Sequence, residues 1–256
     1  GTTAVRVLNA VGTSVDRVEY TLVDVNAENL REARRRLCDW FLDHNFDLQN
    51  KKRGGLLGRG PIEVSIRFSL KDLFDYAEAS DASYDALISQ AVLDLLPLST
   101  TLETLRSHVQ NGGVWYLPIH FDGVTAFEPP LALDADVQRL YHESMSENID
   151  EEGSDRAAQT GRRLLSGLRK VEATLLEVGS SDWVVFGGEN GYDGEEAYFL
   201  HHILHFIEEE LTGHPDLDGR AFKRWVQKRR QQVEATELIY VAHQLDVLAR
   251  QGKRGS

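Results

Sequence analysis

Four groups of side chains in this chain have the types and spacing to do chemistry. Asp24 closes a run of β-forming residues, Val18 to Val25, and stands just before a helix. A carboxylate in that place can accept hydrogen bonds from both hydroxyls of a ribose. It can equally serve as a negative charge at the helix N-terminus. Asp72 follows a second run, Ile62 to Leu70. It could accept from the exocyclic amine of an adenine that Leu73 or Phe74 covers, or simply make a turn. His120 and Asp122 sit in the strip His120-Phe121-Asp122-Gly123 at the end of a fourth run. His120 could orient or deprotonate a nucleophile, or be packed and hydrogen-bonded. Asp122 could bind substrate or start a turn with Gly123. The fourth group lies in Glu195 to Glu210, where His201 and His205 stand four apart on one helix and Glu208 follows. That spacing can place metal ligands on one face. No other ligand cluster accompanies it, and no metal is expected. Tyr198 and His202 are read instead as pocket lining for a substrate.

The elements that must position these groups alternate in type. A helix with an Ala4, Val5, Val7, Leu8 face opens the chain. The strand ending at Asp24 gives way to a helix with Asn26 as N-cap. Residues 50–60 are Gly-rich, basic and loop-like. After the second strand come a third, Tyr84 to Ser89, and a helix, Thr101 to Gln110, that Asn111-Gly112-Gly113 should stop. The fourth strand is Val114 to Phe121, with Pro118 at an irregular position. Beyond residue 122, helices are expected at 134–145, 159–172, 195–211 and 218–234. The acidic stretch 147–155 reads as mobile, residues 187–194 as a Gly-rich loop, and strands as 174–186 and 237–248. Apolar strands alternating with helices imply parallel pairing. The fold class is therefore α/β: a Rossmann-like, doubly wound, mostly parallel sheet in three α/β/α layers. One domain, 1–256, is expected. Its cofactor-binding half is 1–122, helical caps occupy 123–158 and 187–234, and the last two strands lie in 174–186 and 237–248.

Composition narrows the function. The 256 residues carry 41 acidic and 28 basic side chains, a formal charge of −13. A surface of that sign repels phosphate backbones, so a nucleic-acid partner is not expected. Lys223, Lys228, Arg229 and Arg230 make a basic helix face, expected to be solvated. No apolar run reaches the roughly 20 residues a bilayer demands, so no membrane partner is expected. With no recognisable leader and a single cysteine, Cys38, a reducing, cytoplasmic setting is expected. Trp183, Tyr192 and Trp225 could stack on an organic substrate or fill the junction beneath the cap.

The order VEYTLVDVN, FSLKDLF, YDALISQAVLDLLPL, TLRSHVQNGGVWYLPIHF resembles the class I S-adenosylmethionine-dependent methyltransferases over about residues 1–125. The later segments resemble that fold's final helix, strand, insertion and antiparallel last strand. By position, the resemblance implies that Asp24 is the ribose acid and that Val25 and Asn26 lie beside adenine and ribose. It implies that Asp72 and Leu73 contact adenine, and that Ser89 and Gln90 line the methionine portion. Gly1 looks like the last glycine of the family's Gly-rich turn. The first strand and the rest of that turn have no counterpart, so an N-terminally incomplete form, which can be inactive, is expected. The implied cofactor is S-adenosylmethionine. The implied reaction is in-line methyl transfer to a small organic molecule, a class motivated by the acidic charge and the helical insertion. Two rivals stand beside it. A nicotinamide-dependent oxidoreductase would use Asp24 equally, and a non-catalytic relative would act as a binding protein.

Overall fold

The computed structural model describes residues 2–12, 14–51, 54–147 and 157–253. The chain is mixed α/β and divides into two compact units, residues 1–82 and 83–256. This division falls at 82/83, whereas the sequence places the border of the expected cofactor-binding half at 122/123. Gly1 and most of the acidic stretch, 148–156, lie outside the described residues.

The N-terminal unit begins with α1 (Thr2–Val11), which buries Ala4 and Leu8. Strand β1 (Arg17–Asp24) leads to α2 (Ala27–Asp43), whose first turn is fastened by Asn26: its side chain accepts from the Glu28 amide. The α2 stripe Ala33, Leu37, Trp40, Phe41 turns inward. The stretch 50–60, whose glycines and charges suggest a loop, contributes to two strands among its described residues. Asn50 closes β2 (Asp47–Asn50) and residues 56–59 form β3 (Leu56–Arg59), the two paired antiparallel. Leu56, Leu57 and Gly58 are buried there. Local composition misleads because the strand is stabilised by tertiary packing: Phe41, Leu56 and Ile66 belong to one core. Strand β4 (Glu63–Leu70) pairs antiparallel with β3 and parallel with β1, giving the order β1-β4-β3-β2. The short helix α3 (Leu73–Glu78) follows, capped by Asp72.

The C-terminal unit starts with β5 (Tyr84–Ile88) and α4 (Leu98–Arg106). The helix stops at Arg106, before Asn111-Gly112-Gly113. Those three residues lie inside β6 (Val109–Glu128), a 20-residue strand. Gly112 there has φ +83°, a left-handed conformation that glycine adopts without steric cost. The same sequence signal that closes helices serves here to kink a strand. Helices α5 (Asp134–Glu147) and α6 (Thr160–Lys170) precede β7 (Ala173–Ser180) and β8 (Trp183–Val185). Helices α7 (Glu196–Leu211) and α8 (Gly219–Glu234) lead to β9 (Ile239–Gln251).

The sheet order is β5-β6-β9-β7, with β8 also on β9. β5 and β6 are parallel, while β9 runs against β6, β7 and β8. The α/β class and the antiparallel last strand are thus present. Each sheet is built on one Rossmann-like parallel crossover, β1 to β4 and β5 to β6. The remaining pairings are antiparallel, and the hydrogen-bonded strands form two sheets. Parallel pairing is confined to the strands that helices connect, because parallel neighbours need a long crossover whereas antiparallel ones do not.

The core of the C-terminal unit packs Phe127, Val137, Leu200, Leu204, Trp225 and Tyr240 together. Arg229 has no solvent exposure. The expected solvated basic face of α8 therefore lacks it, because Arg229 falls on the inward stripe with Phe222, Trp225, Val226 and Val233.

Candidate functional site

The first candidate site lies in the N-terminal unit, at the carboxyl edge of the parallel pair. The β1–β4 register sets Asp24 opposite Leu70, two residues before Asp72. The backbone joins there too, the Lys71 amide donating to the Asp24 carbonyl at 3.2 Å. Asp24 and Asp72 therefore follow neighbouring strand ends on one edge. Asp24 is half-buried. Its Oδ1 accepts from the Asn26 amide at 2.7 Å and its Oδ2 from the Asn29 side chain at 3.1 Å. A carboxylate offers about four acceptor positions, so two local donors leave capacity for two hydroxyls. Asp72 Oδ1 accepts from the Phe74 amide at 2.7 Å, fixing the start of α3. It is thus a capping residue whatever else it does. Val25 is 68% exposed at the same edge, and Leu73 is half-buried.

The second candidate site lies in the C-terminal unit, where β6 is twice irregular. Its pairing with β9 shifts register between Leu117 and His120, and again between Phe121 and Thr125. Bulges re-aim side chains and are frequent beside active sites. Pro118 falls in the first shift, the irregular position expected of it. Ile119 is held at φ +62°, a costly conformation for a β-branched residue. Its amide donates to Asp246 Oδ1 at 2.7 Å, and the Ser181 hydroxyl donates to the same oxygen at 2.6 Å.

His120 follows and is fully buried. Its Nε2 is 3.2 Å from the Ser89 carbonyl, and its Nδ1 is 3.4 Å from Asp94 Oδ1. Both Nδ1 and Asp94 Oδ1 are buried without a hydrogen bond. His120 ties β6 to the end of β5, which is the packed reading. Ser89 is held from both sides, its amide donating to the Tyr116 carbonyl at 3.1 Å. Gln90 is half-buried beside it, and Ala91 adopts φ +51°.

Asp122 departs from an open substrate contact. It is only 4% exposed. Its carboxylate accepts from Arg162 at the backbone amide (2.7 Å), Nε (2.9 Å) and Nη2 (2.8 Å). It thereby caps the start of α6, where the N-cap residue Gln159 makes no side-chain cap of its own. These bonds hold the Arg162 guanidinium above its ordinary pKa. Gly161 permits the approach: a Cβ there would lie 2.9 Å from the His120 carbonyl oxygen.

Three residues that no sequence signal marks complete this cluster: Arg162, Asp182 and His243. His243 on β9 has Nδ1 2.7 Å from Asp182 Oδ1 and Nε2 3.7 Å from Asp122 Oδ2. Ser180 donates to Asp182 at 2.7 Å. The bonds from Ser180 and then His243 keep the Asp182 carboxyl below its usual range. Asp182 and His243 lie 61 positions apart, and only the antiparallel β8–β9 pairing unites them.

Tyr198 and His202 are not brought to this cluster as pocket lining. Tyr198 is 62% exposed, and its ring lies along α7 against His202 at 5.0 Å. Among the described residues no group of three or more potential metal ligands comes together. Of the three aromatic candidates, Trp225 is buried in the core, Tyr192 donates its hydroxyl to the Leu238 carbonyl, and Trp183 stacks on Phe199 at 3.9 Å. Among the described residues no helix is long and apolar enough to cross a membrane.

No family model and no curated protein matches the chain. Solved structures resemble it distantly. A provisionally assigned methyltransferase of Bacillus halodurans C-125 is 12% identical, with a TM-score of 0.46 over 97% of this chain and 88% of the other. The mycolic acid cyclopropane synthase CmaA1, solved with S-adenosylhomocysteine (SAH) and CTAB, is 9% identical, with a TM-score of 0.44 over 98% and 74%. The [4+2]-cyclase SpnF is 15% identical, with a TM-score of 0.42 over 99% and 83%. Likenesses this distant assign neither family nor activity.

Proposed function

We propose that the chain is an S-adenosylmethionine-dependent methyltransferase acting on a small organic molecule. The observation that carries this reading is the parallel, in-register pairing of β1 with β4, which brings Asp24 and Asp72 to one sheet edge. The donor set fits the cofactor's nucleoside half. Asp24 retains acceptor capacity for the two ribose hydroxyls, and Asp72 can take the adenine amine while capping α3. Val25 and Leu73 offer apolar cover for the base. Ser89 and Gln90 are assigned to the methionine end by resemblance alone. When bound, S-adenosylmethionine supplies a methyl group already activated by a positive sulfur. The protein's part is then to align the acceptor and keep water away. The antiparallel β9 supports this reading over a nicotinamide-dependent oxidoreductase, for which Asp24 would serve as well.

Calorimetric titration of the full chain with SAH and, separately, NADH tests the reading. SAH binding is expected. Replacing Asp24 removes up to two hydrogen bonds to a charged acceptor at about 1.5–3 kcal/mol each, so Asp24→Ala should weaken binding at least tenfold. Asp24→Asn, which keeps one acceptor oxygen, should lose less. Binding of NADH instead would move the assignment to the oxidoreductase. Binding of neither would refute the cofactor assignment.

A further inference from the structure

We infer that His243 is a proton acceptor, oriented by Asp182, in a site that takes a neutral hydroxyl or a protonated amine of a small molecule. The geometry is that of an oriented base. Nδ1 is 2.7 Å from Asp182 Oδ1, so it carries the hydrogen and donates it. The lone pair of the neutral ring is thereby placed on Nε2. Asp182 is itself fixed by the Ser180 hydroxyl. Nε2 faces Asp122 Oδ2 across 3.7 Å, too long for a direct hydrogen bond and near enough to stabilise an added positive charge. Asp122 cannot swing away, because Arg162 grips it through backbone and side chain. Arg162, Asp122, His243 and Asp182 thus stand in one row, with the imidazole between two carboxylates.

The His243 side chain is 30% exposed, so it is reachable, unlike the fully buried His120. In the proton transfer, the substrate O–H or N–H bond breaks and its electron pair stays on oxygen or nitrogen. The proton goes to Nε2. The resulting imidazolium is stabilised by the two carboxylates beside it, and the nucleophile keeps the electron pair for attack on an electrophile. A carboxylate substrate would be repelled by the same two groups. The link to chemistry at the methyl donor rests on the methyl-transfer reading; the proton-accepting role does not.

Two measurements test this on the full chain. Long-range 15N–1H NMR should find His243 with hydrogen on Nδ1 and a bare Nε2, and Asp182→Asn should shift the ring toward hydrogen on Nε2. Diethyl pyrocarbonate at pH 8, read by peptide mass spectrometry, should modify His243 at least threefold faster than His202 and His205. Asp182→Asn should remove that advantage while circular dichroism stays unchanged. Hydrogen on Nε2 in the parent protein, or a His243 rate no greater than that of His202, would overturn the assignment. SAH titration of His243→Gln keeps the two proposals apart: unchanged binding is expected, and absent binding in the parent protein would defeat the methyl-donor reading alone.

Discussion

Arg229 offers the sharpest test of how the C-terminal unit is held together. Its guanidinium has no solvent exposure. It donates to both oxygens of Asp134 at the start of α5, to the Pro129 carbonyl beyond β6, and to Gln232 one turn along α8. It also lies 5.1 Å from the Phe127 ring centroid and 5.5 Å from that of Trp225. One residue thus joins β6, α5 and α8. In Arg229→Met the stem volume is nearly kept and the charge is lost, so Asp134 remains as a mostly buried carboxylate without its cation. Removing one partner of such a pair costs about 3–5 kcal/mol. At about 2–4 °C per kcal/mol for a domain of this size, the melting temperature of the unit should fall by about 6–20 °C. Urea unfolding followed by tryptophan fluorescence suits the question, because Trp225 donates its indole N–H to Asp134 and reports on the same site. Adding Asp134→Asn neutralises the stranded carboxylate while keeping an acceptor for Trp225. The double variant should recover at least half of the loss. A single variant within about 1 kcal/mol of the parent, or a double variant worse than the sum of its parts, would refute the account.

Two further outcomes follow from the same unit. In Gly161→Val a side chain meets the His120 carbonyl oxygen, from which even a Cβ would be 2.9 Å. Thermal unfolding should show a loss of about 1–3 kcal/mol despite the removal of a helix glycine, and the Asp122 cap on α6 should loosen in hydrogen exchange. His142 has its pKa lowered by burial, so below about pH 6.5 the unfolded chain takes up a proton that the folded one refuses. Stability should therefore fall as pH drops from 7 to 5, and His142→Gln should flatten that part of the profile; an unchanged slope would show that the buried ring is not its source.

Much of the element order was legible in the sequence, because it follows from local signals. Asn26 caps α2 where a short polar side chain precedes an apolar stripe. Asp24 ends a strand where the β-forming run stops. Tyr84 to Ser89 reads as a strand from its own residues, and β5 covers Tyr84–Ile88 of it. Those signals failed where tertiary packing overrode them. The strand β3 lies in a stretch whose glycines composition assigns to a loop, yet its own Gly58 is required because a Cβ there would overlap the Phe41 ring. Asn111-Gly112-Gly113 reads as a helix stop and became a kink in β6, since a left-handed glycine serves either purpose.

The candidate sites divide in the same way. Asp24 and Asp72 could be named from the sequence because one ends its own strand and the other stands two residues past the end of its own. That they share an edge was decided by the β1–β4 register. The sequence could offer His120 and Asp122 as candidates but not their fates. Burial took His120 from solvent, and Arg162, 40 positions away, closed on Asp122. His243 and Asp182 carry no local pattern at all. Each is an ordinary polar residue in its own segment, and they meet because β8 and β9 run in opposite directions. A side chain's chemical type is fixed by the sequence; its partners, its exposure and the hydrogen it holds depend on which distant strand lies beside it.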